Sequence, residues 1–399
     1  MRAFWPVRLA ETLKNNRICG IVRSFCTIPL SDYKKQHLSK KLLIKYYLNV
    51  FPNFLRFGIL APYYENTGAP GIFPASALAI RTDIMGNKIT IIGSGSVGST
   101  IAYTLAVQSL ASEIVMIDIN LEKSLGEALD IRQGMPFCDP VQIYAGSYQD
   151  AKDSDIVILT SGIARKPGQS RLDLAQTNVN ITKSIIPEIT KYAPDAIYII
   201  VANPVDILTY QFYKTSGLPE NRIIGSGTTL DTARLRSRLS EYYKVSQQNV
   251  HAYVFGEHGD SSFVPWSLCN ISTVPIDSFS SCVKAEDKLF PPLVHEEVEN
   301  YVRKSGGRII SRKGATFYAI AISVCHVCKC IFCETDTTLT VSTLMHGEYG
   351  IEDVCLSTLS LVGRDGIGGK LILPMSDTEV ASLKKSADSL KDVISQLKF

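Results

Sequence analysis

Four short, largely apolar runs recur along the middle of the chain: Lys-Ile-Thr-Ile-Ile (88–92), Glu-Ile-Val-Met-Ile-Asp (113–118), Asp-Ile-Val-Ile-Leu-Thr (155–160) and Ala-Ile-Tyr-Ile-Ile-Val (196–201). None alternates polar with apolar, as expected of parallel strands buried on both faces. Stretches of helical character separate them, beginning with 101–107. Strand and helix in alternation predict an α/β fold: a doubly wound parallel-sheet Rossmann domain with helices on both sides, followed by an α+β domain. Near the C-terminus, apolar or small residues fall at 380, 383, 387, 390, 394 and 397. That spacing predicts an amphipathic helix laying one face on the body.

The first 84 residues behave differently. They show no sustained period and no repeat, and pieces such as Leu-Ala-Pro-Tyr-Tyr (60–64) break any pattern. Nothing in them approaches the ~18 apolar residues of a membrane span. They carry 12 Lys and Arg against 4 Asp and Glu, whereas the remaining residues carry 29 against 34. The net charge of +3 over 399 residues therefore hides a basic extension on a mildly acidic body, and that body gives no sign of nucleic-acid binding.

The first strand runs into Gly93-Ser-Gly95-Ser-Val97-Gly98. Glycine-rich turns are common, but a strand before, a helix after and an acid at the end of the next strand make this one specific. Asp118 lies 20 residues past Gly98, where a carboxylate accepts hydrogen bonds from a ribose. The glycines let the backbone approach a pyrophosphate, which the unpaired N–H groups of a helix N-terminus attract. An acid with no arginine directly after it favours NAD over NADP.

A second constellation lies downstream: His258 in Gly-Glu-His-Gly-Asp (256–260), Asp231 and Arg234 in Asp-Thr-Ala-Arg, and Arg171 closing Arg-Lys-Pro-Gly-Gln-Ser-Arg. Asp231 and Arg234, three apart, project from one face of a helix. One can orient a histidine while the other grips a carboxylate with its two-pronged guanidinium. A histidine can take a hydroxyl proton and return it. A second arginine can polarise the carbonyl. Together with a hydride carrier, these residues suit the oxidation and reduction of a 2-hydroxy acid.

From Gly86 onward the chain resembles the NAD-dependent L-lactate dehydrogenases of bacterial type, within the lactate/malate dehydrogenase superfamily. Gly-Ser-Gly-Ser-Val-Gly, Asn-Pro-Val-Asp-Ile-Leu-Thr-Tyr (203–210), Gly-Ser-Gly-Thr-Thr-Leu-Asp-Thr-Ala-Arg (225–234) and Gly-Glu-His-Gly-Asp carry the resemblance, in the family's order. It implies that His258 is the acid–base catalyst, held by Asp231, and that Arg234 binds the substrate carboxylate. Arg171 rides on a loop that closes over the substrate, and Asn203 hydrogen-bonds the reacting oxygen. Gly93, Gly95, Val97, Gly98, Asp118, Lys123, Tyr148, Gly162 and Asn203 form the NAD site. The implied domains are a Rossmann half over 86–226 and a catalytic half over 227–399, assembled as a homotetramer with a dimer as the fallback. Met85-Gly-Asn-Lys-Ile-Thr reads as the family's usual start. Residues 1–84 are then a poorly structured extension, either a start assigned too far upstream or a transit-like segment.

Lactate and malate remain open at one position. Where lactate dehydrogenases usually carry glutamine, six residues before the loop arginine, this chain has Arg165, as malate dehydrogenases do. An unpaired arginine against the methyl of pyruvate would be costly, so Arg165 argues for a dicarboxylate unless it points to solvent. Thr316, in Ala-Thr-Phe-Tyr-Ala-Ile (315–320), favours lactate through the resemblance. So do Arg236 and His251, which stand where bacterial relatives bind fructose 1,6-bisphosphate between subunits. The expectation is lactate, with malate as the alternative.

Ten cysteines raise the question of a metal or a redox sensor, above all Cys325-x-x-Cys328-x-Cys330-x-x-Cys333. On a helix these four point to about 0°, 300°, 140° and 80°, too widely spread for one tetrahedral zinc. The expectation is no metal, reduced thiols and a cytoplasmic enzyme. A non-catalytic nucleotide-binding or redox-sensing protein is the remote alternative, and the intact catalytic set argues against it.

Overall fold

The computed structural model describes residues 87–163, 170–284 and 290–399. The N-terminal extension and Arg165 lie outside them, and with them the expectations attached to those residues. In chain order the first half consists of β1 (Lys88–Ile92), α1 (Ser96–Val107), β2 (Glu113–Ile117), α2 (Leu121–Gly134), β3 (Gln142–Ala145), β4 (Ile156–Leu159), α3 (Arg171–Tyr192), β5 (Ile197–Ile200), α4 (Val205–Thr215), β6 (Ile223–Gly225) and α5 (Thr229–Tyr243). The second half adds β7 (Val250–His251), β8 (Asn270–Ile271), β9 (Val274–Pro275), α6 (Ile276–Cys282), α7 (His295–Arg303), α8 (Ser305–Lys313), α9 (Tyr318–Ile331), β10 (Thr337–His346), β11 (Glu352–Gly363), β12 (Gly366–Lys370) and α10 (Asp377–Ile394).

Six parallel strands lie in the order β3-β2-β1-β4-β5-β6, with Lys88 beside Glu113 and Ile89 beside Ile156, and the four apolar runs are β1, β2, β4 and β5. Each buries both faces. On one side Ile92, Val157 and Tyr198 join a core with α3 and α4; on the other Ile89, Ile91 and Ile158 join one with α1 and α9. The chain reverses its winding between β1 and β4, and such a switch point opens a crevice at the carboxyl ends of the strands. Thr160, included in the expected strand, lies just past β4. Its Oγ1 donates to the carbonyls of Ile92 (3.1 Å) and Gly93 (2.9 Å), tying the crevice's two lips together.

The sheet does not stop at β6. Three antiparallel strands of the C-terminal half continue it as β10, β11 and β12, starting from Ser342 beside Gly225. A smaller sheet, β7-β8-β9, packs with α5 and α7 around Leu235, Leu239, Tyr243 and Ile271. The expected C-terminal helix is α10, whose buried face carries Leu383, Ser386, Ala387 and Leu390. No helix among the described residues is long and apolar enough to cross a membrane.

Candidate active site

The glycine turn is shaped by close backbone approach. Gly93 has φ +105°, a conformation side chains rarely adopt. A Cβ on Gly98 would stand 1.8 Å from the carbonyl oxygen of Gly93, so only glycine lets α1 start this close to β1. Around Gly95 a Cβ would meet nothing within 4 Å. The N-terminus of α1 has no side-chain cap there, which leaves its first N–H groups facing open space. Asp118, immediately after β2, accepts from the Ser94 N–H at 2.6 Å and the Asn120 N–H at 2.9 Å. Each oxygen keeps a lone pair for a further donor. This cradle fits a dinucleotide: open donors for a pyrophosphate, and a fixed carboxylate for a ribose.

Asp231 and Arg234 share one face of α5, as their spacing predicts. The helix start is anchored by the Thr228 N–H to Ser357 Oγ (3.0 Å) and by Thr232 Oγ1, which accepts from the Val254 N–H (2.9 Å). Asp231 is buried and divides its carboxylate between two cations. Oδ2 meets His258 Nδ1 at 2.6 Å and Oδ1 meets Arg234 Nη1 at 2.9 Å. Burial by itself would raise the Asp231 carboxyl, but His258 and Arg234 outweigh it and hold the group below the usual carboxylate range. In return the Asp231 charge pushes His258 up from 6.5 to about 9, against the opposing effect of burial. The ring is 27 % exposed, and Nε2 is left for a substrate.

The loop that carries His258 is held through three successive amides. The Gly256 N–H donates to the Ser357 carbonyl on β11 (2.9 Å), the Glu257 N–H to Ser386 Oγ on α10 (2.8 Å), and the His258 N–H to Asp206 Oδ2 on α4 (2.8 Å). Asp206 also accepts from Ser342 Oγ at 2.5 Å. Burial pushes its carboxyl up to about 6, while Ser342 and the His258 N–H hold it back.

These parts converge on a cavity of about 400 Å³. Val97, Thr160 and Gly162 line it from the dinucleotide side, and Asn203, Asp231, Arg234, His258 and Thr316 from the other. Asn203 is steadied by Asn178, a buried asparagine of α3. Asn178 Nδ2 donates to the Asn203 carbonyl (2.6 Å), and its Oδ1 accepts from the Ile163 N–H (2.9 Å). Arg171 begins α3 and forms an ion pair with the cavity-lining Asp260; both side chains are largely exposed. Lys123 is exposed on α2, and Tyr148 packs part of its ring on the core; neither lines this cavity. Arg236 donates from Nε to the Ala252 carbonyl (3.0 Å), one residue past the exposed His251. The sequence pattern did not single out Asn178, Asp206, Asp260 or Ser386. Asp206 and Asp260 lie within the quoted motifs, whereas Asn178 and Ser386 are signalled only by a polar residue within an apolar periodicity, as with Asn178 between Ala175, Val179 and Thr182 on the buried face of α3.

A dinucleotide cradle facing a histidine–carboxylate–arginine cluster across one cavity is the arrangement of a two-part dinucleotide-dependent oxidoreductase. The family model for the lactate/malate dehydrogenase NAD binding domain matches residues 87–225, and that for the lactate/malate dehydrogenase alpha/beta C-terminal domain matches 228–398. The chain belongs to the lactate/malate dehydrogenase family. It is 49% identical over 312 residues to an L-lactate dehydrogenase of Thermoanaerobacter sp., covering 78% of this chain and 99% of that protein. An L-lactate dehydrogenase of Acetivibrio thermocellus is 48% identical over 311 residues, covering 78% of this chain and 97% of its own length. Among solved structures, the minor L-lactate dehydrogenase from Enterococcus mundtii, in a ligands-bound form, aligns with a TM-score of 0.74 at 37% identity. That alignment covers 79% of this chain and 99% of that one.

Proposed function

We propose that this protein interconverts L-lactate and pyruvate, with NAD as the hydride acceptor and NADH as the donor. The observation that carries the reading is the Asp231 carboxylate bonded at once to His258 and Arg234 at the wall of a cavity that the glycine turn also borders. The kinship with L-lactate dehydrogenases supports lactate over malate. In oxidation, Nε2 of neutral His258 takes the hydroxyl proton, and the Asp231 charge stabilises the imidazolium that results. In reduction the same nitrogen returns the proton. Arg234, kept rigid by Asp231, grips the substrate carboxylate, and Thr316 crowds the far side. Asn203 donates to the reacting oxygen. Arg171 exchanges Asp260 for the carbonyl and polarises it as charge develops on its oxygen. NAD, held by Gly93, Gly95, Val97, Gly98, Asp118, Lys123, Tyr148, Gly162 and Asn203, supplies the hydride chemistry when bound.

The division into an NAD-binding half (86–226) and a catalytic half (227–399), a homotetrameric assembly, cytoplasmic residence and control by fructose 1,6-bisphosphate at Arg236 and His251 belong to the same reading. An exposed apolar row on α2, formed by Leu121, Leu125 and Leu129 with Phe137 beyond, supports self-association. Proximity of Arg236 to the strand of His251 supports the anion site. Against a redox sensor stands the burial of Cys325, Cys328 and Cys330, which pushes the Cys325 thiol up to about 12 and disfavours its thiolate.

The test is NADH oxidation with pyruvate and with oxaloacetate, comparing kcat/KM. A clear preference for pyruvate is expected. A strong preference for oxaloacetate would overturn the lactate reading and make Arg165 the specificity determinant. Unchanged pyruvate kinetics on adding fructose 1,6-bisphosphate at neutral pH would remove the effector.

A further inference from the structure

We infer that Ser386, on the C-terminal helix α10, is a positioning residue that sets where the imidazole of His258 stands. This rests on the reading of His258 as the acid–base group. Ser386 is fully buried, on the face that otherwise packs Leu383, Ala387 and Leu390. An alanine would pack there equally well and would favour the helix, so the hydroxyl must be accounted for by what it bonds. Its partners flank His258. The Oγ accepts from the Glu257 N–H at 2.8 Å and meets Ser261 Oγ at 2.9 Å, and Ser261 in turn donates to the Glu257 carboxylate. The approach is too close for any side chain at Gly256, where a Cβ would stand 2.6 Å from Ser386 Oγ.

The latch therefore closes over the histidine, from the residue before it to the third after it. The Asp206 and Ser357 contacts hold the neighbouring amides from α4 and β11. Without Ser386 Oγ the Glu257 N–H loses its acceptor, and the 256–257 peptide that leads into His258 is free to rotate. Nε2 then leaves its place in the cavity, and the Nδ1 contact to Asp231 loosens. The charged groups around the ring are Asp231 and Arg234 on α5, Asp206 on α4, Glu257 and Asp260 on the loop, Arg303 on α7, and Arg171 on α3 facing Asp260. Ser386→Ala adds and removes no charge among these groups, so a changed pH profile reports a change in where the ring stands relative to them.

Ser386→Ala, Ser261→Ala and the double variant should be compared with the wild-type chain. The measurements are pyruvate reduction from pH 6 to 10, NADH binding by fluorescence, and thermal unfolding. For Ser386→Ala, kcat/KM for pyruvate should fall about tenfold, mostly in kcat, with NADH affinity within about twofold of wild type. The alkaline limb of its pH profile should move to lower pH. The double variant should lose less than the product of the single effects, because both hydroxyls belong to one network. Wild-type kcat and pH profile in both single variants, even with a lowered Tm, would overturn the proposal and leave Ser386 a purely structural residue. Should Ser386→Ala fail to fold, Ser261→Ala carries the same test. His258→Gln run alongside separates the two claims: full turnover in that variant sinks the acid–base reading itself, whereas its inactivity beside a wild-type-like Ser386→Ala sinks only the latch.

Discussion

The glycine turn at 93–98 and the loop at 256–260 both present a few atoms to the same cavity, yet they are built in opposite ways. The turn is shaped mainly by near neighbours, Gly98 against the Gly93 carbonyl and Ser94 bonded to the acid just past the next strand, with one longer tie from Thr160 on the adjoining strand's end. The loop is held by partners 52 and 129 residues away, on α4 and α10, and by a strand of the C-terminal half. A site made of local backbone can be moved whole from protein to protein. A site made of distant contacts exists only when the whole fold does, so changes far from the histidine in sequence can reach it.

The sharpest way to break the comparison is a crossed pair of variants. His258→Gln should lower kcat by about a thousandfold or more while leaving the NADH dissociation constant nearly unchanged. If turnover persists, the loop is not the catalytic element. Gly98→Ala should do the reverse, driving a methyl into the Gly93 carbonyl, weakening NADH binding by at least about tenfold and costing about 1–3 kcal/mol of stability. Should this variant bind NADH normally, as judged by fluorescence titration, the turn is not the cradle.

Acidity offers a gentler probe. The folded protein holds His258 at about 9 against 6.5 for a free imidazole. Its contribution to stability is thus complete below about pH 6.5 and lost as pH rises through about 9. The Tm gap between wild type and His258→Gln should shrink over that window. In parallel, pyruvate reduction, which needs the protonated ring, should decline above about pH 9, while lactate oxidation should gain as the ring becomes neutral. A pH-independent gap would mean that Asp231 does not hold the imidazolium. The smallest effect is expected from Asp260→Asn, which releases Arg171 from an exposed ion pair worth about 0–1 kcal/mol. The KM for pyruvate should fall by about twofold to fivefold; a rise would show that Asp260 helps seat Arg171.

Much of the fold was legible because its signals are periodic and local. The runs at 88–92, 113–118, 155–160 and 196–201 became β1, β2, β4 and β5, and the 3–4 spacing after residue 380 became α10. Asp231 and Arg234 met on one face because helical geometry requires it. Not legible was the continuation of the parallel sheet by β10, β11 and β12, since the pairing of Ser342 with Gly225 joins residues far apart in sequence. Asn178, Asp206 and Ser386 were missed for a related reason. Each is one polar residue on a buried helix face, and its partner is named nowhere near it.

The sequence by itself determined the strand–helix alternation, the turn that only glycines can form and the identity of the histidine, the carboxylate and the arginines. All follow from rules acting over a few residues: backbone sterics, helical periodicity and side-chain chemistry. Tertiary structure alone decided that Val97 of the turn, Asp231, Arg234 and His258 line one cavity, that His258 stands at about 9 rather than 6.5, and that the C-terminal helix reaches the loop carrying His258. Electrostatic shifts and buried hydrogen bonds depend on distance in space and on exclusion of water, and neither is written along the chain.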